Sequence, residues 1–232
     1  MTCHNVDLWH GELVDTQTCS ESFLSCLDTN ELARAESYSK PLLKWRYIEA
    51  RGRLKFLLAD YLDISPNHVQ IAQTEHGKPY LPNHPQLVFN ISHTANQLVI
   101  AVAKHCQLGV DIERIQARST LAALVKKCFS TSEAAYWQNL PESEKAWVFY
   151  QFWTKKEAFV KATGRGIALG LQQCEVNTPE AERFVAVPES CGTAAQWWLA
   201  TLTVDELFCV SVVTDTGMAE LNYRALPTIE TK

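Results

Sequence analysis

The side chains best suited to chemistry are three carboxylates and a lysine. Asp111 and Glu113 lie where apolar residues alternate with acids, and Glu157 and Lys161 lie four residues apart. On a strand, Asp111 and Glu113 would share one face; on a helix, Glu157 and Lys161 would be neighbours. Carboxylate oxygens suit Mg²⁺, which takes part of its shell from substrate phosphates. These residues are therefore sufficient to hold one divalent cation against a diphosphate.

Each acidic pair has a simpler structural interpretation when taken alone. Glu157 and Lys161 could form a surface pair worth about 0.2–0.5 kcal/mol, and the two strand acids could be the solvated face of an edge strand. The second interpretation is weakened by the runs Leu98–Ala103 and Leu108–Ile112, which are typical of buried strands. Adjacent buried carboxylates repel each other unless a cation joins them.

Other candidate residues carry weaker signals. Ser92 and His93 end a strand-like run, so they predict either a phosphate contact or an ordinary turn. Lys78 follows a glycine in a second turn. Lys156 falls inside an apolar helical stripe, so its stem lies along the core with the ammonium at a rim, or it faces an anionic ligand.

The elements that must position these residues follow from periodicity and capping signals. Asp28 and Glu31 have capping-box spacing, and apolar residues recur at helical spacing over Pro41–Leu62. Strand-like runs follow at His68–Gln73, Leu87–Ile91, Leu98–Ala103 and Leu108–Ile112. The first half of the chain therefore predicts helices followed by a sheet.

The second half repeats this order. Leu121–Phe129 predicts a helix, Ser130 and Glu133 have capping-box spacing for another, and a third spans about Glu144–Thr163 with a C-cap at Gly164. Its buried stripe comprises Phe149, Phe152, Trp153, Phe159 and Val160. Strands are predicted at Gln173–Val176, Arg183–Val187, Trp197–Val204 and Leu207–Thr214. The residues from about Glu220 have no clear pattern and predict a loose tail.

The repetition predicts an α+β protein of two halves. We expect an N-terminal α+β half over residues 1–112 and a C-terminal half over residues 113–232. No low-complexity segment separates them, so close packing of the halves is expected.

Composition restricts the class of function. The 232 residues are 47% hydrophobic and 20% charged, as in ordinary globular proteins. A net charge of -5 argues against nucleic-acid binding, and no apolar run approaches the roughly 20 residues that span a bilayer. The amino terminus lacks the pattern of a secretory signal. The eight cysteines form no Cys-x-x-Cys pair, which argues against zinc and disulfides, so a cytoplasmic location is expected.

Taken in order, the segments from about Leu27 to Val176 resemble the 4′-phosphopantetheinyl transferases of the surfactin-synthetase-activating type. The motifs that carry the resemblance are Gly77-Lys78-Pro79, Phe89-Asn90-Ile91-Ser92-His93, Gly109-Val110-Asp111-Ile112-Glu113 and Trp153-Thr154-Lys155-Lys156-Glu157-Ala158-Phe159-Val160-Lys161. Each is common, but the ordered set is specific. Trp153 with Lys156-Glu157-Ala158 resembles the branch that carries Trp and Lys-Glu-Ala.

The resemblance implies a Mg²⁺-dependent transfer of the phosphopantetheine arm from coenzyme A, the co-substrate, to a serine of an apo-acyl or peptidyl carrier protein. Adenosine 3′,5′-bisphosphate would be released. The implied fold is a pseudo-twofold α+β monomer with coenzyme A between its halves. The implied metal ligands are Asp111, Glu113 and Glu157, and the implied catalytic residues are Glu157, Asp111 and Lys161. The implied coenzyme A contacts are Arg34, Arg46, Arg51, Lys78, Ser92, His93, Lys156 and Lys161.

One departure and two alternatives remain at this point. Ile112 stands where the family's metal segment can carry a third oxygen ligand, so only two come from that strand. A catalytically silent module binding coenzyme A has no use for three convergent acids. A Mg²⁺-dependent phosphodiesterase or nuclease usually needs a basic groove, which the overall acidity disfavours. The pathway and the docking surface of the carrier are not determined, although the aromatic-rich residues 137–149 are a candidate surface.

Overall fold

A computed structural model of the chain describes residues 4–14, 16–166 and 169–227. The helices are α1 (Gln17–Glu21), α2 (Thr29–Glu36), α3 (Pro41–Leu62), α4 (Leu121–Cys128), α5 (Thr131–Gln138) and α6 (Glu142–Thr163). The strands are β1 (His4–Glu12), β2 (Ala72–Gln73), β3 (Pro79–Tyr80), β4 (Leu87–Thr94), β5 (Gln97–Lys104), β6 (Leu108–Arg114), β7 (Glu175–Val176), β8 (Phe184–Ala186), β9 (Trp198–Val204), β10 (Phe208–Thr214) and β11 (Ala219–Ala225). The mixture of helices and sheets confirms the predicted α+β class.

The helix ends follow the signals in the sequence. Both predicted capping boxes are formed, at Asp28 before α2 and at Ser130 before α5. In each, a side-chain oxygen accepts from the N3 backbone N–H while the N3 glutamate accepts in return. Helix α6 ends at Gly164, whose φ of 67° is left-handed, as expected for a C-cap glycine.

The first sheet has the order β11-β1-β5-β4, with β11 parallel to β1. The prediction of a loose tail from Glu220 is therefore wrong for β11, although residues 228–232 lie outside the described part of the chain. Asn222 Nδ2 and Arg224 Nε donate to Asp7 Oδ1 at 3.1 and 3.2 Å, which ties β11 to β1. The partner strand lies at the other end of the chain, so no local pattern announces this pairing.

The second sheet has the antiparallel order β6-β10-β9, and α6 lies against β6 and β10. A Cβ on Gly109 would lie 2.0 Å from the carbonyl oxygen of Ala158 and 2.4 Å from the amide nitrogen of Ala162. Only glycine therefore lets β6 approach α6 this closely. The close approach brings the acids of β6 next to the acid and lysine of α6.

Alternation along the strands divides the core into layers. In β5, Leu98, Ile100 and Val102 pack in the cluster of α3, whereas Val99 and Ala101 pack in a cluster shared with β6 and β10. The shared cluster joins the two sheets through their helix-free faces. The predicted boundary after residue 112 falls inside β6, which pairs with the strands of the second half, while β11 completes the first sheet.

Two predicted strands are shorter in the structure. Within His68–Gln73 only β2 is extended, because Pro66–His68 forms a 3₁₀ turn. Within Gln173–Val176 only β7 is extended, because Leu171–Gln173 forms another. The helices described by the structure are all too short or too polar to cross a membrane.

Candidate active site

The candidate site lies where β6 faces the C-terminal part of α6. Lys161 Nζ lies 2.7 Å from Asp111 Oδ1, and Asp111 is only 5% exposed. Glu113 lies two residues further along β6, where its Oε2 accepts from Thr94 Oγ1 at 3.4 Å. Glu157, one helical turn before Lys161, is partly buried. The structure thus brings together residues that are about 50 positions apart in the sequence.

The acids act on one another electrostatically. Burial, and then the charge of Asp111, raises the pKa of Glu157 to about 7, although Lys161 opposes the shift. Burial and Asp111 also raise the pKa of Glu113. Asp111 Oδ2 is buried and has no hydrogen-bond partner among the residues that the structure describes. The site therefore carries more negative charge than its single lysine balances, which favours a bound cation.

Ser92 connects the two elements of the site. Its Oγ donates to Asp111 Oδ1 at 3.0 Å and accepts from Lys161 Nζ at 2.9 Å. The hydroxyl is buried, so it holds the carboxylate and the ammonium in a fixed triangle. Ser92 is thus placed to orient both charged groups.

Two positively charged side chains act on His93, the next residue of β4. Desolvation of the ring, followed by the charges of Lys161 and Arg46, lowers the pKa of His93 below its usual value. The residue as a whole is exposed, so the ring lies at the rim of the site. His93 is therefore a neutral hydrogen-bonding group near pH 7, and the charge of Arg46 reaches the same rim.

A cavity of about 230 Å³ adjoins Lys161. It is lined by the turn at His76–Pro79, by Asn90 and Ile91, and by the end of α6. Lys78 Nζ donates to the carbonyl oxygens of Ala162 at 2.6 Å and Leu108 at 3.1 Å, and burial lowers the pKa of this lysine to about 8. Lys78 thus lies beside the cavity and bridges the two halves.

The described residues contain no group of three His, Cys, Asp or Glu side chains already arranged to hold a metal ion. Lys161 Nζ instead pairs with Asp111 Oδ1, so Asp111 Oδ2 remains available to a cation. The arrangement is therefore an acidic cluster with a lysine at its edge.

Comparison with known proteins identifies the family. Residues 107–213 match the model of the 4′-phosphopantetheinyl transferase superfamily, and residues 15–105 match the model of the N-terminal part of 4′-phosphopantetheinyl transferase. Over 215 residues the chain is 34% identical to 4′-phosphopantetheinyl transferase HetI of Nostoc sp., covering 91% of this chain and 88% of that protein. The chain belongs to the 4′-phosphopantetheinyl transferase family.

More distant relatives agree. The 4′-phosphopantetheinyl transferase of Bacillus subtilis is 33% identical over 113 residues, which are 49% of each chain. The human L-aminoadipate-semialdehyde dehydrogenase-phosphopantetheinyl transferase is 32% identical over 140 residues, covering 53% of this chain and 44% of the human protein. The predicted membership in the 4′-phosphopantetheinyl transferase family is confirmed, and with it the assignment of this chain as a transferase.

Two predicted coenzyme A contacts of the transferase lie around a second cavity. Arg34 and Arg51 line a space of about 660 Å³ together with Tyr47. Arg51 Nε donates to Glu31 Oε1 at 2.8 Å, while the guanidinium of Arg34 lies 5.3 Å from the ring centroid of Tyr38. The structure places these arginines around one cavity, which does not include the acidic cluster.

Lys156 does not lie among the acids of the candidate site, and its buried ion pair argues against the predicted contact with coenzyme A. Its side chain is fully buried, and Nζ pairs with Glu133 Oε2 at 2.7 Å. The ammonium also donates to the carbonyl oxygens of Leu171 at 2.9 Å and Cys174. Consecutive helical residues point about 100° apart, so Lys156 and Glu157 face different neighbours. The ion pair of Lys156 with Glu133 therefore links α6 to α5.

Sequence reasoning missed two polar residues of β4. Thr94 bonds to Glu113, and Asn90 Oδ1 accepts from the amide nitrogen of Val110 at 2.9 Å. Asn90, Ser92 and Thr94 are spaced two apart, so they face the same neighbour. That polar alternation opposite an acidic strand is the signal that could have identified them.

Proposed function

We propose that this transferase moves the phosphopantetheine arm of coenzyme A to a serine hydroxyl of an apo-acyl or peptidyl carrier protein, with Mg²⁺, and releases adenosine 3′,5′-bisphosphate. The observation that carries this proposal is the electrostatic coupling of Asp111, Glu113 and Glu157 to one another and to Lys161. A phosphoryl-transfer site needs charge neutralisation and alignment more than it needs a nucleophile of its own.

The residues present fit a Mg²⁺ ion. Asp111 Oδ2 is a buried oxygen that receives no hydrogen bond from the described residues, and burial, followed by neighbouring acids, raises the pKa values of Glu113 and Glu157. All three side chains offer hard oxygen ligands. Bound Mg²⁺ would neutralise diphosphate charge and polarise the phosphorus centre.

The side chains of the candidate site then have distinct roles. Lys161 adds a compact positive charge for the diphosphate, and Ser92 holds that lysine in place. The serine of the carrier attacks the β-phosphorus, and the bond between this phosphorus and the oxygen bridging to the α-phosphate breaks, so that the bisphosphate leaves. Glu157, whose carboxylate is electrostatically coupled to Asp111 and Lys161 in the same site, accepts the proton of the serine, directly or through a water.

We assign the remaining contacts by position. His93, Lys78 and Arg46 surround the phosphate end, and Arg34 and Arg51 surround the adenine end and the 3′-phosphate. Coenzyme A lies between the two halves of a monomer, and the enzyme works in the cytoplasm.

We also place the enzyme in the branch that carries Trp and Lys-Glu-Ala. Trp153 stacks on Phe149 with ring centroids 5.6 Å apart, which supports a packing role for this tryptophan in α6.

The test is incubation with coenzyme A, Mg²⁺ and an apo-carrier, with the carrier's mass as the readout. We expect a gain of one phosphopantetheine arm for the native enzyme and none for Glu157→Gln or Asp111→Ala. Asp60→Asn, an exposed acid on α3, is the matched control and should retain activity. Near-native turnover by either site variant contradicts the assigned roles.

Two other outcomes would overturn the proposal. Coenzyme A cleaved without any carrier indicates a phosphodiesterase, and coenzyme A bound without turnover indicates a silent binding module. If transfer occurs, kcat/KM across a panel of acyl and peptidyl carriers identifies the pathway served.

A further inference from the structure

Strands β4 and β6 lie side by side where the two sheets meet. Within residues 87–114, all of which the structure describes, no backbone ladder joins them: β4 is an edge of the first sheet and β6 an edge of the second. The other edge of β6 is fully occupied, since it pairs with β10 from Leu108 to Arg114. The edge of β6 next to β4 therefore needs other hydrogen-bond partners.

Side chains of β4 supply these partners. Asn90 Oδ1 accepts from the amide of Val110 at 2.9 Å, and Ser92 Oγ accepts from the amide of Ile112 at 3.4 Å. Asn90 and Ser92 are 4% and 7% exposed, so water cannot readily replace them. We call these four residues the β4–β6 seam.

The seam brackets the central acid of the site. Val110 and Ile112 are the residues on either side of Asp111, and β4 accepts a hydrogen bond from the backbone N–H of each. Ser92 also bonds to Asp111 itself and to Lys161. Asn90, in contrast, bonds to the backbone of Val110, so it affects Asp111 only through the neighbouring residue.

We propose that Asn90 is a positioning residue for Asp111: its amide oxygen replaces a β-ladder hydrogen bond and holds the acidic edge of β6 against β4. This inference rests on the proposed function, because it is that function which gives Asp111 its role. The packing of the seam supports it. Val110 and Ile112 bury their side chains in the cluster between the sheets, so their amides can turn only toward β4.

The test uses three substitutions at one position. Asn90→Ala removes the acceptor, Asn90→Leu removes it while keeping the volume, and Asn90→Ser restores a hydroxyl like the one with which Ser92 already spans the seam. Displacing a catalytic group by about 1 Å costs about 100-fold in rate. We therefore expect Asn90→Ala and Asn90→Leu to lower kcat at least about 10-fold, and Asn90→Ser to recover most of that loss.

Amide hydrogen exchange gives a readout that does not depend on activity. The Val110 amide should exchange faster in Asn90→Ala and Asn90→Leu, and near the native rate in Asn90→Ser. Val102→Ala is the control, because it removes core volume between β5 and α3 without touching the seam. It should lower Tm while leaving kcat and the Val110 exchange rate near native.

The outcomes separate the two proposals. Native kcat in Asn90→Ala, unchanged exchange at Val110, or an Asn90→Ser variant no better than Asn90→Ala overturns the positioning role. If the native enzyme fails to modify any carrier, the proposed function fails instead, and the exchange data still report whether Asn90 holds Val110. If Asn90→Ala and Asn90→Leu do not fold, Asn90→Ser alone decides: the role requires near-native kcat and Val110 exchange, and loss of either refutes it.

Discussion

Replacing Lys156 with methionine tests whether this lysine is a structural support or a ligand contact. The change keeps the length of the side chain but removes the ammonium that pairs with Glu133 at 2.7 Å, at a place where both side chains are fully buried. Glu133 would keep the backbone donors of Ser130 and Val176, at 2.7 and 2.9 Å, but lose its countercharge. The carbonyl oxygens of Leu171 and Cys174 would also lose a donor.

The expected cost is large. Removing one partner of a buried ion pair destabilises a protein by about 3–5 kcal/mol, against a total stability of about 5–15 kcal/mol. For a protein of this size about 2–4 °C of Tm accompany each kcal/mol, so Lys156→Met should lower Tm by about 6–20 °C. Glu133→Gln combined with Lys156→Met should recover part of this loss, because no unpaired charge is then buried.

Thermal melts and steady-state kinetics on these two variants and on Lys161→Met measure these effects. Below Tm, Lys156→Met should bind coenzyme A with a near-native KM, because Lys156 contacts Glu133 and not the residues of the candidate site. Lys161→Met is the matched comparison and should impair transfer severely; its Tm should fall less than that of Lys156→Met, because Lys161 is partly exposed. A stable Lys156→Met protein whose KM for coenzyme A rises about 10-fold would refute the structural role and restore this lysine to the binding site.

Three further predictions follow from the site. Because burial raises the folded-state pKa of Glu157 from 4.5 to about 7, the folded state binds more protons in this range, and the metal-free protein should lose stability as pH rises from about 4.5 to 7. Melts in EDTA should show Glu157→Gln more stable than native at pH 8 and equal to it near pH 4; an equal difference at both pH values would contradict the shift. Mg²⁺ should raise Tm of the native protein at pH 8 but not of Asp111→Ala, and melting curves insensitive to Mg²⁺ would exclude the metal role. Gly109→Ala should cost at least about 1–3 kcal/mol and most of kcat, since its Cβ would meet the backbone of α6; a native Tm would show that β6 and α6 can separate freely.

Local signals predicted the helices well. The span of α3, the two capping boxes and the glycine C-cap of α6 all agree with the structure, because each depends on residues within a few positions of one another. The failures were of two kinds. Strand β11 pairs with β1 across about 215 residues, which no local pattern can predict. The residues around Pro66 and Leu171 form local 3₁₀ turns where extended strand was predicted.

For the site, the sequence by itself determined which groups are present and on which element each lies. Asp111 and Glu113 share a face of β6 because strand side chains alternate, and Glu157 and Lys161 follow one edge of α6 because a helix repeats every 3.6 residues. Only the tertiary structure decided which side chains meet. It placed Lys161 on Asp111, buried Lys156 against Glu133 and made Asn90 a partner of Val110. The physical reason is that the spacing in an element sets a direction, whereas partners depend on how closely elements pack, and here a glycine without a Cβ sets that distance.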